Sequence, residues 1–330
     1  MTRVLFTEPS NFSNTITNSI PNTWRCFYEE FEDSRALILW LQDHEVDIVF
    51  ARLGLAFDAK FFCAASNLSV LATPTTGLDH IDLDHAKINS VKVIALRGET
   101  DFLRTISSTA EHAWALLLAC NRKLPQLIGR TKEGAWSRVG LDLHQLSGST
   151  LGIIGLGRLG EMLARYGNAF GMNVAGFDTT SGECKFDNVR RHSSLEALLQ
   201  ESDHIIMSAS YTYGDPVIIA DRQVDHMKTG STLVNISRGE LLDEDAIIRG
   251  LDVGIIGAVG LDVLQGDSRW DSKKPVKSSL ISRSKNDDRV ILTPHVGGYA
   301  VEAIAATRTF LLQRVIEYME DVGMKNEDNS

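Results

Sequence analysis

The sequence is short of several features that mark specialised classes of protein. Its 330 residues include only four cysteines, which lie far apart and form no CxxC pair, so a disulfide framework, a redox pair or a metal site is not expected. It contains no run of about 18 apolar residues, the length that a membrane-spanning helix needs. Basic residues are outnumbered, and the net charge of −10 argues against nucleic acid or an anionic membrane as partner.

The rest of the composition is that of a folded globular chain. Hydrophobic residues make up 43% and charged residues 23% of the sequence, within the ordinary range. The first ten residues, MTRVLFTEPS, do not have the apolar segment of a signal peptide. We therefore expect a cytoplasmic protein whose length allows two domains. Its cysteines are expected to be reduced and mostly buried; they are Cys26, Cys63, Cys120 and Cys184.

Short apolar runs alternate with segments of helical period along most of the chain, which is typical of parallel sheets with crossover helices. One series of strands occupies the first hundred residues, and a second begins at Leu151. The predicted strands are Val4–Phe6, Trp24–Phe27, Val46–Phe50, Val70–Ala72, Val91–Ala95, Leu151–Ile154, Val174–Phe177, His204–Ser208, Thr232–Asn235, Ile255–Leu261 and Val290–Leu292. We predict an α/β fold with two doubly wound parallel-sheet domains, Rossmann- or flavodoxin-like.

Three connecting segments have their own signals. Phe102–Leu124 has the pattern of one long apolar helix, which Pro125 is expected to end. Ser193–Glu196 is typical of a capping box at a helix start. Ser268–Asp288 is rich in Ser, Lys and Arg and predicts a long surface loop.

The segment Leu151–Gly160, LGIIGLGRLG, is the most informative motif. Its first residues form a buried strand, and Gly155 allows the tight turn that follows. Gly157 leaves room for a pyrophosphate to approach the backbone, and Gly160 lets the next helix pack closely on the sheet. The N-terminal N–H groups of that helix favour the negative charge of a diphosphate. The segment therefore predicts a dinucleotide site.

Asp178 closes the next apolar run, Asn173–Phe177. A carboxylate at that strand end accepts hydrogen bonds from the adenosine ribose hydroxyls and repels a 2′-phosphate. No arginine follows it directly, so NAD is favoured over NADP. The alternative is a glycine-rich turn in an unrelated βα unit, but the strand, glycines, helix and acidic residue together favour the dinucleotide site.

Three later strand ends carry residues suited to acid–base chemistry. Arg238 follows one strand, Asp262 and Asp267 follow the next, and His295 stands beside Pro294 after the third. Ligands of open α/β sheets bind at the carboxyl ends of strands. An arginine there can hold a carboxylate through two parallel hydrogen bonds. A histidine can transfer a proton near neutral pH, and a carboxylate partner orients it.

Each of these residues alone also has a plainer interpretation. Arg238 would by default form a surface salt bridge, and a single histidine such as His295 is more often structural. Their occurrence on successive strand ends of one dinucleotide-type sheet favours a catalytic function.

Through these motifs, the sequence resembles the D-isomer-specific 2-hydroxyacid dehydrogenase family. The resemblance rests on TTGLDHIDLDHAK (Thr75–Lys87), LGIIGLGRLG, VNISRGELLDEDA, LDVLQGD and LTPHVGGYA, in the family's order. It implies that residues 101–296 form an NAD-binding Rossmann domain. This domain is inserted into a discontinuous substrate-binding domain of residues 1–100 and 297–330, with a cleft between the two. It also implies a homodimer whose contact includes the Phe102–Leu124 helix.

The resemblance assigns roles position by position. Arg238, Asp267 and His295 correspond to the catalytic residues, with His295 as the acid/base, and Asp262 to the residue that binds the nicotinamide carboxamide. The residues implied for NAD binding are Gly155, Gly157, Arg158, Leu159, Gly160, Asp178, Ile236, Asp262 and Gly298. Those implied for substrate binding are Leu53, Gly54, Gly77 and Arg238.

Three features depart from the family pattern, and one of them is the long Ser268–Asp288 insert between Asp267 and His295. The family usually has a Glu where this chain has Asp267, which is shorter by one methylene, about 1.5 Å of reach. A closer backbone, a bridging water or a weaker pairing with His295 would each accommodate this. The segment Ser208–Pro216, SASYTYGDP, replaces a different family pattern beside the cofactor, so the contacts made there are not carried over.

The reaction implied is hydride transfer between NADH and a small 2-oxo acid, giving the D-2-hydroxy acid, with His295 as the proton donor or acceptor. The segment Leu53–Leu55 offers no cation for a phosphate, which favours an unphosphorylated acid, although Arg52 lies beside it. One alternative is a non-catalytic NAD(H)-sensing protein of the same fold, which has less need of the three catalytic residues. Another is an NAD enzyme of a different class, which the lack of a strand-end Lys or Cys disfavours.

Overall fold

The computed structural model describes residues 1–12, 16, 18–180, 187–267 and 277–327. These residues form two compact units. The first unit contains Met1–Leu103 together with the described chain from Ala300 onward, and the second contains Arg104–Asp267 with residues 277–299. Each unit has its own parallel sheet, so the predicted α/β class is confirmed.

The sheet of the first unit has five strands among the described residues, in the order β2-β1-β3-β4-β5. They are β1 (Thr2–Phe6), β2 (Trp24–Tyr28), β3 (Ile48–Phe50), β4 (Val70–Thr73) and β5 (Lys92–Ala95). The helices between and after them are α1 (Ser34–Asp43), α2 (Ala59–Ala64), α3 (Leu83–Ile88) and α4 (Thr100–Leu103). Asp33, Asp58 and Asp82 cap the first three, because each carboxylate accepts a hydrogen bond from an N–H of the first turn that has no partner within the helix.

Alternate residues of these strands enter two separate apolar clusters. Leu5, Val49 and Leu71 pack with the buried faces of α1, α2 and α3. The neighbouring residues point to the opposite face of the sheet, as the two-residue period of a strand requires. There they pack with Leu311 and Val315 of the long helix α12 (Val301–Glu327). The C-terminal helix therefore covers one face of the sheet that begins the chain.

The second unit contains a sheet of seven strands, counted over its described residues, in the order β12-β11-β10-β9-β6-β7-β8. They are β6 (Thr150–Ile154), β7 (Asn173–Phe177), β8 (Arg190–Arg191), β9 (His204–Met207), β10 (Ser231–Asn235), β11 (Ile256–Leu261) and β12 (Val290–Leu292). Its helices are α5 (Ser108–Asn121), α6 (Leu124–Lys132), α7 (Arg158–Ala169), α8 (Leu195–Glu201), α9 (Asp221–Asp225), α10 (Glu244–Asp252) and α11 (Ser279–Ser284).

This sheet is also covered on both faces. Ile153 and Ile206 pack with α5 and α7 on one face. Their neighbours Ile154 and Ile205 pack with α8, α10 and α11 on the other. The central strands β6, β9 and β10 are therefore buried on two sides, which is why they appear in the sequence as continuous apolar runs rather than as alternating ones.

Two predicted helices differ in the structure. The Phe102–Leu124 segment is not one helix, because α4 ends at Leu103 and α5 begins only at Ser108. The α5 helix ends at Asn121 because Lys123 takes a left-handed backbone conformation (φ +51°). Pro125 lies in the first turn of α6, where its missing N–H costs no hydrogen bond. The cap of α8 is Ser194, whose hydroxyl accepts a hydrogen bond from the Ala197 N–H.

Two further expectations also need correction, and one strand was not expected. The part of Ser268–Asp288 that the structure describes is not simply a loop, since it includes α11; residues 268–276 lie outside the described residues. The sequence analysis missed β8. Of the cysteines, Cys63 is exposed, Cys120 is buried with the pKa of its thiol raised to about 12 by burial, and Cys184 lies outside the described residues.

Candidate active site

The strand order of the second unit reverses between β6 and β9. The chain segments that follow these two strands leave toward opposite sides of the sheet, and ligands of open α/β sheets bind in the crevice this creates. The hydroxyl of Ser208, just after β9, donates to the carbonyl oxygen of Gly155, just after β6, at 2.8 Å. The glycine motif therefore lies at the switch point of the sheet.

Two glycines of the motif are required by close backbone packing. Gly155 has φ +95°, and a Cβ there would lie 2.5 Å from the backbone nitrogen of Ala209. A Cβ on Gly160 would lie 2.3 Å from the carbonyl oxygen of Gly155. Either contact is far inside van der Waals distance, so a side chain would force the turn open.

Gly157 behaves differently. A Cβ built on it meets no described atom within 4 Å, and its φ of −81° suits any residue. The folded chain therefore does not itself require glycine at this position. A backbone left bare at the N-terminus of α7, where N–H groups point outward, fits the approach of a diphosphate.

Asp178 follows β7 and holds the glycine loop. Its Oδ2 accepts a hydrogen bond from the Leu156 N–H at 2.7 Å, and its Oδ1 accepts one from the Thr180 N–H at 2.8 Å. Burial raises the pKa of this carboxyl, but the hydrogen bonds outweigh burial and leave the pKa below its ordinary value. The group is therefore an anion fixed at the β7 end.

Sequence reasoning missed an arginine beside this carboxylate. Arg191 comes from β8, and its Nη2 donates to the carbonyl oxygens of Asp178, at 3.1 Å, and of Thr180. No arginine follows Asp178 directly, but the pairing of β7 with β8 brings one to the same place. The two-residue β8 has no apolar run that could have revealed it.

His295 lies in the turn after β12 and contacts a carboxylate. Its Nδ1 is 3.1 Å from Oδ2 of Asp267, whose side chain is 10% exposed. The shorter Asp thus reaches the imidazole directly, without a bridging group. Because Nδ1 faces the carboxylate, Nε2 is the ring nitrogen available to a ligand.

The backbone of His295 is held in an uncommon conformation. Its φ is +55°, a region that residues other than glycine seldom adopt. Its N–H donates to the carbonyl oxygen of Asp262 at 2.8 Å. The Asp262 carboxylate accepts hydrogen bonds from the Val296 N–H at 2.9 Å and from the Gly297 N–H at 2.7 Å. Asp262 therefore holds the backbone of His295 and of the two residues that follow it.

Asp262 is almost fully buried, at 2% exposure. Burial raises the pKa of its carboxyl. Hydrogen bonds from His112, Thr293, Val296 and Gly297 lower that pKa by more than burial raises it, so the net shift is downward. Most of its acceptor capacity is used within the protein, and one acceptor position of Oδ2 is left for another donor.

Arg238 follows β10 and begins a short 3₁₀ turn, Gly239–Leu241. A Cβ on Gly239 would lie 2.0 Å from the backbone of Leu264, so this turn packs directly against the chain that leads to Asp267. Glu240 strengthens the contact by accepting a hydrogen bond from the Gly266 N–H at 3.1 Å. The structure thus brings the Arg238 and Asp267 segments together, and it adds Gly239, which the sequence analysis did not single out.

The remaining predicted cofactor residues lie in the segments that follow β6, β10 and β12. Arg158 begins α7 and donates from Nη1 to the carbonyl oxygen of Ile106 at 3.1 Å. Leu159 is partly buried, Ile236 is buried after β10, and Gly298 is exposed after the His295 turn.

Of the predicted substrate residues, Arg238 belongs to the second unit, and the other three belong to the first. Leu53 is exposed, and Gly54, with φ +91°, turns the chain after β3. After β4, the Thr75 hydroxyl donates to the carbonyl oxygen of Gly77 at 2.7 Å. The sequence did not indicate where the Arg52 side chain points. In the structure its Nη2 donates to the carbonyl oxygen of Phe31.

Comparison with known proteins identifies the family. Residues 114–297 match the family described as "D-isomer specific 2-hydroxyacid dehydrogenase, NAD binding domain". A hydroxypyruvate reductase of Thermotoga maritima is 32% identical over 273 residues, which cover 83% of this chain and 85% of that protein. The chain belongs to the D-isomer specific 2-hydroxyacid dehydrogenase family.

A further relative and a solved structure point to the same family. A glyoxylate reductase of Thermococcus gammatolerans is 32% identical over 277 residues, covering 82% of this chain and 78% of that protein. The structure of D-lactate dehydrogenase from Aquifex aeolicus, complexed with NAD and lactic acid, matches with a TM-score of 0.81. It is 26% identical and covers 97% of this chain and 96% of its own.

As a 2-hydroxyacid dehydrogenase, the protein is an NAD-dependent oxidoreductase that interconverts 2-oxo and 2-hydroxy acids. The predicted family, enzyme class and cofactor are confirmed, and the alternative of a non-catalytic NAD(H) sensor is not favoured. The glycine loop fits the cofactor, since Gly157 is bare where Gly155 and Gly160 are packed. Within the part of the chain that the structure describes, no helix has the length and apolar character needed to cross a bilayer.

Proposed function

We propose that this dehydrogenase reduces a small, unphosphorylated 2-oxo acid to the D-2-hydroxy acid, and catalyses the reverse, with His295 as acid/base. The contact between His295 Nδ1 and Asp267 Oδ2 at 3.1 Å carries this proposal. A carboxylate on Nδ1 fixes the orientation of the imidazole and leaves Nε2 free to face a ligand. This arrangement suits a proton donor for a carbonyl oxygen.

The other side chains at the carboxyl ends of these strands bind the substrate and the cofactor. NAD, when bound, supplies or accepts the hydride at C2 of the substrate. In reduction, His295 gives its Nε2 proton to the 2-oxo oxygen, and in oxidation it takes the hydroxyl proton back. Arg238 holds the substrate carboxylate and polarises the neighbouring carbonyl. Asp262 accepts a hydrogen bond from the nicotinamide carboxamide.

The roles of the two units follow the same reasoning. We assign NAD binding to the second unit, which contains the glycine loop, and substrate binding to the first. Leu53, Gly54 and Gly77 would present backbone N–H groups to the substrate carboxylate. Because Arg52 is directed to the Phe31 carbonyl, the LGL segment presents no cation to a phosphate. This supports a small acid of the kind named for the reductases of Thermotoga and Thermococcus.

A substrate panel tests this function. Glyoxylate, hydroxypyruvate and pyruvate are supplied with NADH, and the loss of NADH absorbance is followed. We expect turnover with at least one of the three, and much weaker turnover with a phosphorylated hydroxy acid in the oxidative direction. NADH binding without consumption on the entire panel would contradict the proposal.

Cofactor choice gives a second test. Asp178 repels a 2′-phosphate, while Arg191 already places a cation at the same strand end. Asp178→Ser removes the repulsion and keeps the cation, so the ratio of kcat/KM with NADPH to that with NADH is expected to rise about tenfold or more. The double variant Asp178→Ser/Arg191→Ser is the control, and the gain should disappear in it. An unchanged ratio in Asp178→Ser would contradict this account.

The contact between His295 and Asp267 is tested by replacing the carboxylate. Asp267→Asn keeps the size of the side chain but removes the charge that holds Nδ1 of His295, so kcat for reduction is expected to fall about tenfold or more. Asp267→Glu, which keeps the charge, should retain more of the activity. A kcat of Asp267→Asn equal to that of wild type would show that the contact has no part in proton transfer.

We also propose a cytoplasmic homodimer. The α6 helix and the segment after it expose large apolar side chains, with Ile128 at 52%, Trp136 at 90% and Val139 at 83% exposure. Apolar side chains grouped in this way favour burial against a second copy. Sedimentation equilibrium is expected to give twice the mass of the chain, and a monomer at micromolar concentration would contradict the proposal.

A further inference from the structure

His112 on α5 contacts the buried network beneath the His295 turn. Its Nε2 is 2.9 Å from the hydroxyl of Thr293 and 3.2 Å from Oδ1 of Asp262. The Thr293 hydroxyl is in turn 2.6 Å from the same Oδ1. A histidine side chain, a hydroxyl and a carboxylate thus form a triangle of hydrogen bonds. None of the family motifs identified in the sequence contains His112.

The protons of this triangle can be assigned. Asp262 is ionised, since the pKa of its carboxyl is held below the ordinary value, and an ionised carboxylate only accepts hydrogen bonds. The hydroxyl of Thr293 therefore donates its single proton to Asp262. The short contact between Thr293 and His112 then requires that His112 Nε2 carry a proton and donate it. His112 is a hydrogen-bond donor in this network.

The network acts on the backbone around His295. Asp262 accepts from the N–H groups of Val296 and Gly297, and its own carbonyl accepts from the N–H of His295. Because His295 has a φ of +55°, the turn around it keeps this conformation only while its hydrogen bonds stabilise it. Thr293 and Val296 stand on either side of the histidine, and both contact the same carboxylate oxygen.

A second contact from α5 reaches the same turn. The hydroxyl of Ser108, at the start of the helix, donates to the carbonyl oxygen of Gly297 at 2.6 Å. Ser108 and His112 are one helical turn apart and lie on the same face of α5. That face therefore contacts both ends of the segment that carries His295.

We propose that His112 is a positioning residue for His295. Its Nε2–H fixes Thr293 and Asp262, and these fix the backbone that directs the imidazole of His295. The proposal rests on the proposed acid/base role of His295 and adds the residue that maintains its geometry. A reacting group displaced by about 1 Å can lose rate by a factor on the order of 100, so a loss of this support should appear in the chemical step.

The test compares two variants of the full-length protein. His112→Leu removes the donor, and kcat for 2-oxo acid reduction is expected to fall about 10- to 100-fold. The KM for the 2-oxo acid and the Kd for NADH are expected to change by less than about threefold. His112→Gln keeps an N–H donor of similar reach and should restore kcat to within about threefold of wild type. Glu111→Gln, on the neighbouring exposed position, is the control and should match wild type.

Other outcomes overturn the proposal. If both His112 variants lose activity in step with a fall in Tm, the residue has a structural role alone. If KM or NADH binding worsens while kcat is unchanged, the network does not act on proton transfer. Should His112→Leu fail to fold, Thr293→Val removes the same relay with little change in shape, and an unchanged kcat in that variant is also contradictory. A His295 variant with full activity would instead refute the proposed function itself.

Discussion

Replacing His295 by Asn is expected to lower kcat for reduction of the 2-oxo acid by a factor of roughly 100 to 10,000, the range that a positioned general acid contributes. Asn tolerates a positive φ better than other residues, so the turn at φ +55° should persist. Its side chain cannot supply the proton that the developing alkoxide needs. NADH affinity, measured by quenching of protein fluorescence, should stay within about threefold of wild type.

The chain offers a closely matched control. His144 and Asp142 form another histidine–carboxylate pair, with Nε2 and Oδ1 also 3.1 Å apart, but both side chains are largely exposed. His144→Asn should leave kcat and KM unchanged. If the two Asn variants had equal activity, the acid would have to be another group and the proposed mechanism would fail.

Replacing Gly157 by Ala is expected to raise the Kd for NADH roughly 10- to 100-fold without changing Tm. The added methyl group meets no described atom of the protein within 4 Å, so the unliganded chain should fold as before. It would stand on the backbone where the diphosphate approaches, and overpacking of this kind costs about 1 to 3 kcal/mol. Calorimetric titration with NADH measures the affinity, and thermal melting without NADH measures the fold.

Two further glycines complete the comparison. Gly129→Ala, in α6, also adds a methyl group in open space and should leave NADH affinity unchanged. Gly160→Ala places its methyl 2.3 Å from a carbonyl oxygen and should lower both Tm and NADH affinity. An undiminished affinity in Gly157→Ala would show that the cofactor does not approach this loop.

The strands and the cofactor edge could be predicted from the sequence because their signals are local. A strand buried on both faces is a short apolar run, and β6, β9 and β10 begin within one residue of their predicted starts. The glycine motif could also be interpreted directly, since the steric needs of Gly155 and Gly160 do not depend on distant residues.

Features that arise from tertiary contacts could not be predicted in this way. The break between α5 and α6 depends on the left-handed conformation of Lys123, which no sequence signal demands. Arg191 reaches Asp178 only through the pairing of β7 with a two-residue strand. His112 belongs to an apolar helix pattern, and its polar partners Thr293 and Asp262 lie more than a hundred positions away in the sequence.

The return of the chain to its first unit has a consequence for biosynthesis. Leu311 and Val315 of α12 complete the apolar cluster around Val4 and Phe6, so the chain must be synthesised as far as α12 before that cluster can close. The second unit contains both faces of its own sheet and can fold as soon as it emerges. We therefore expect the first hundred residues of the nascent chain to expose one apolar sheet face until α12 has been synthesised, the interval in which a chaperone would bind them.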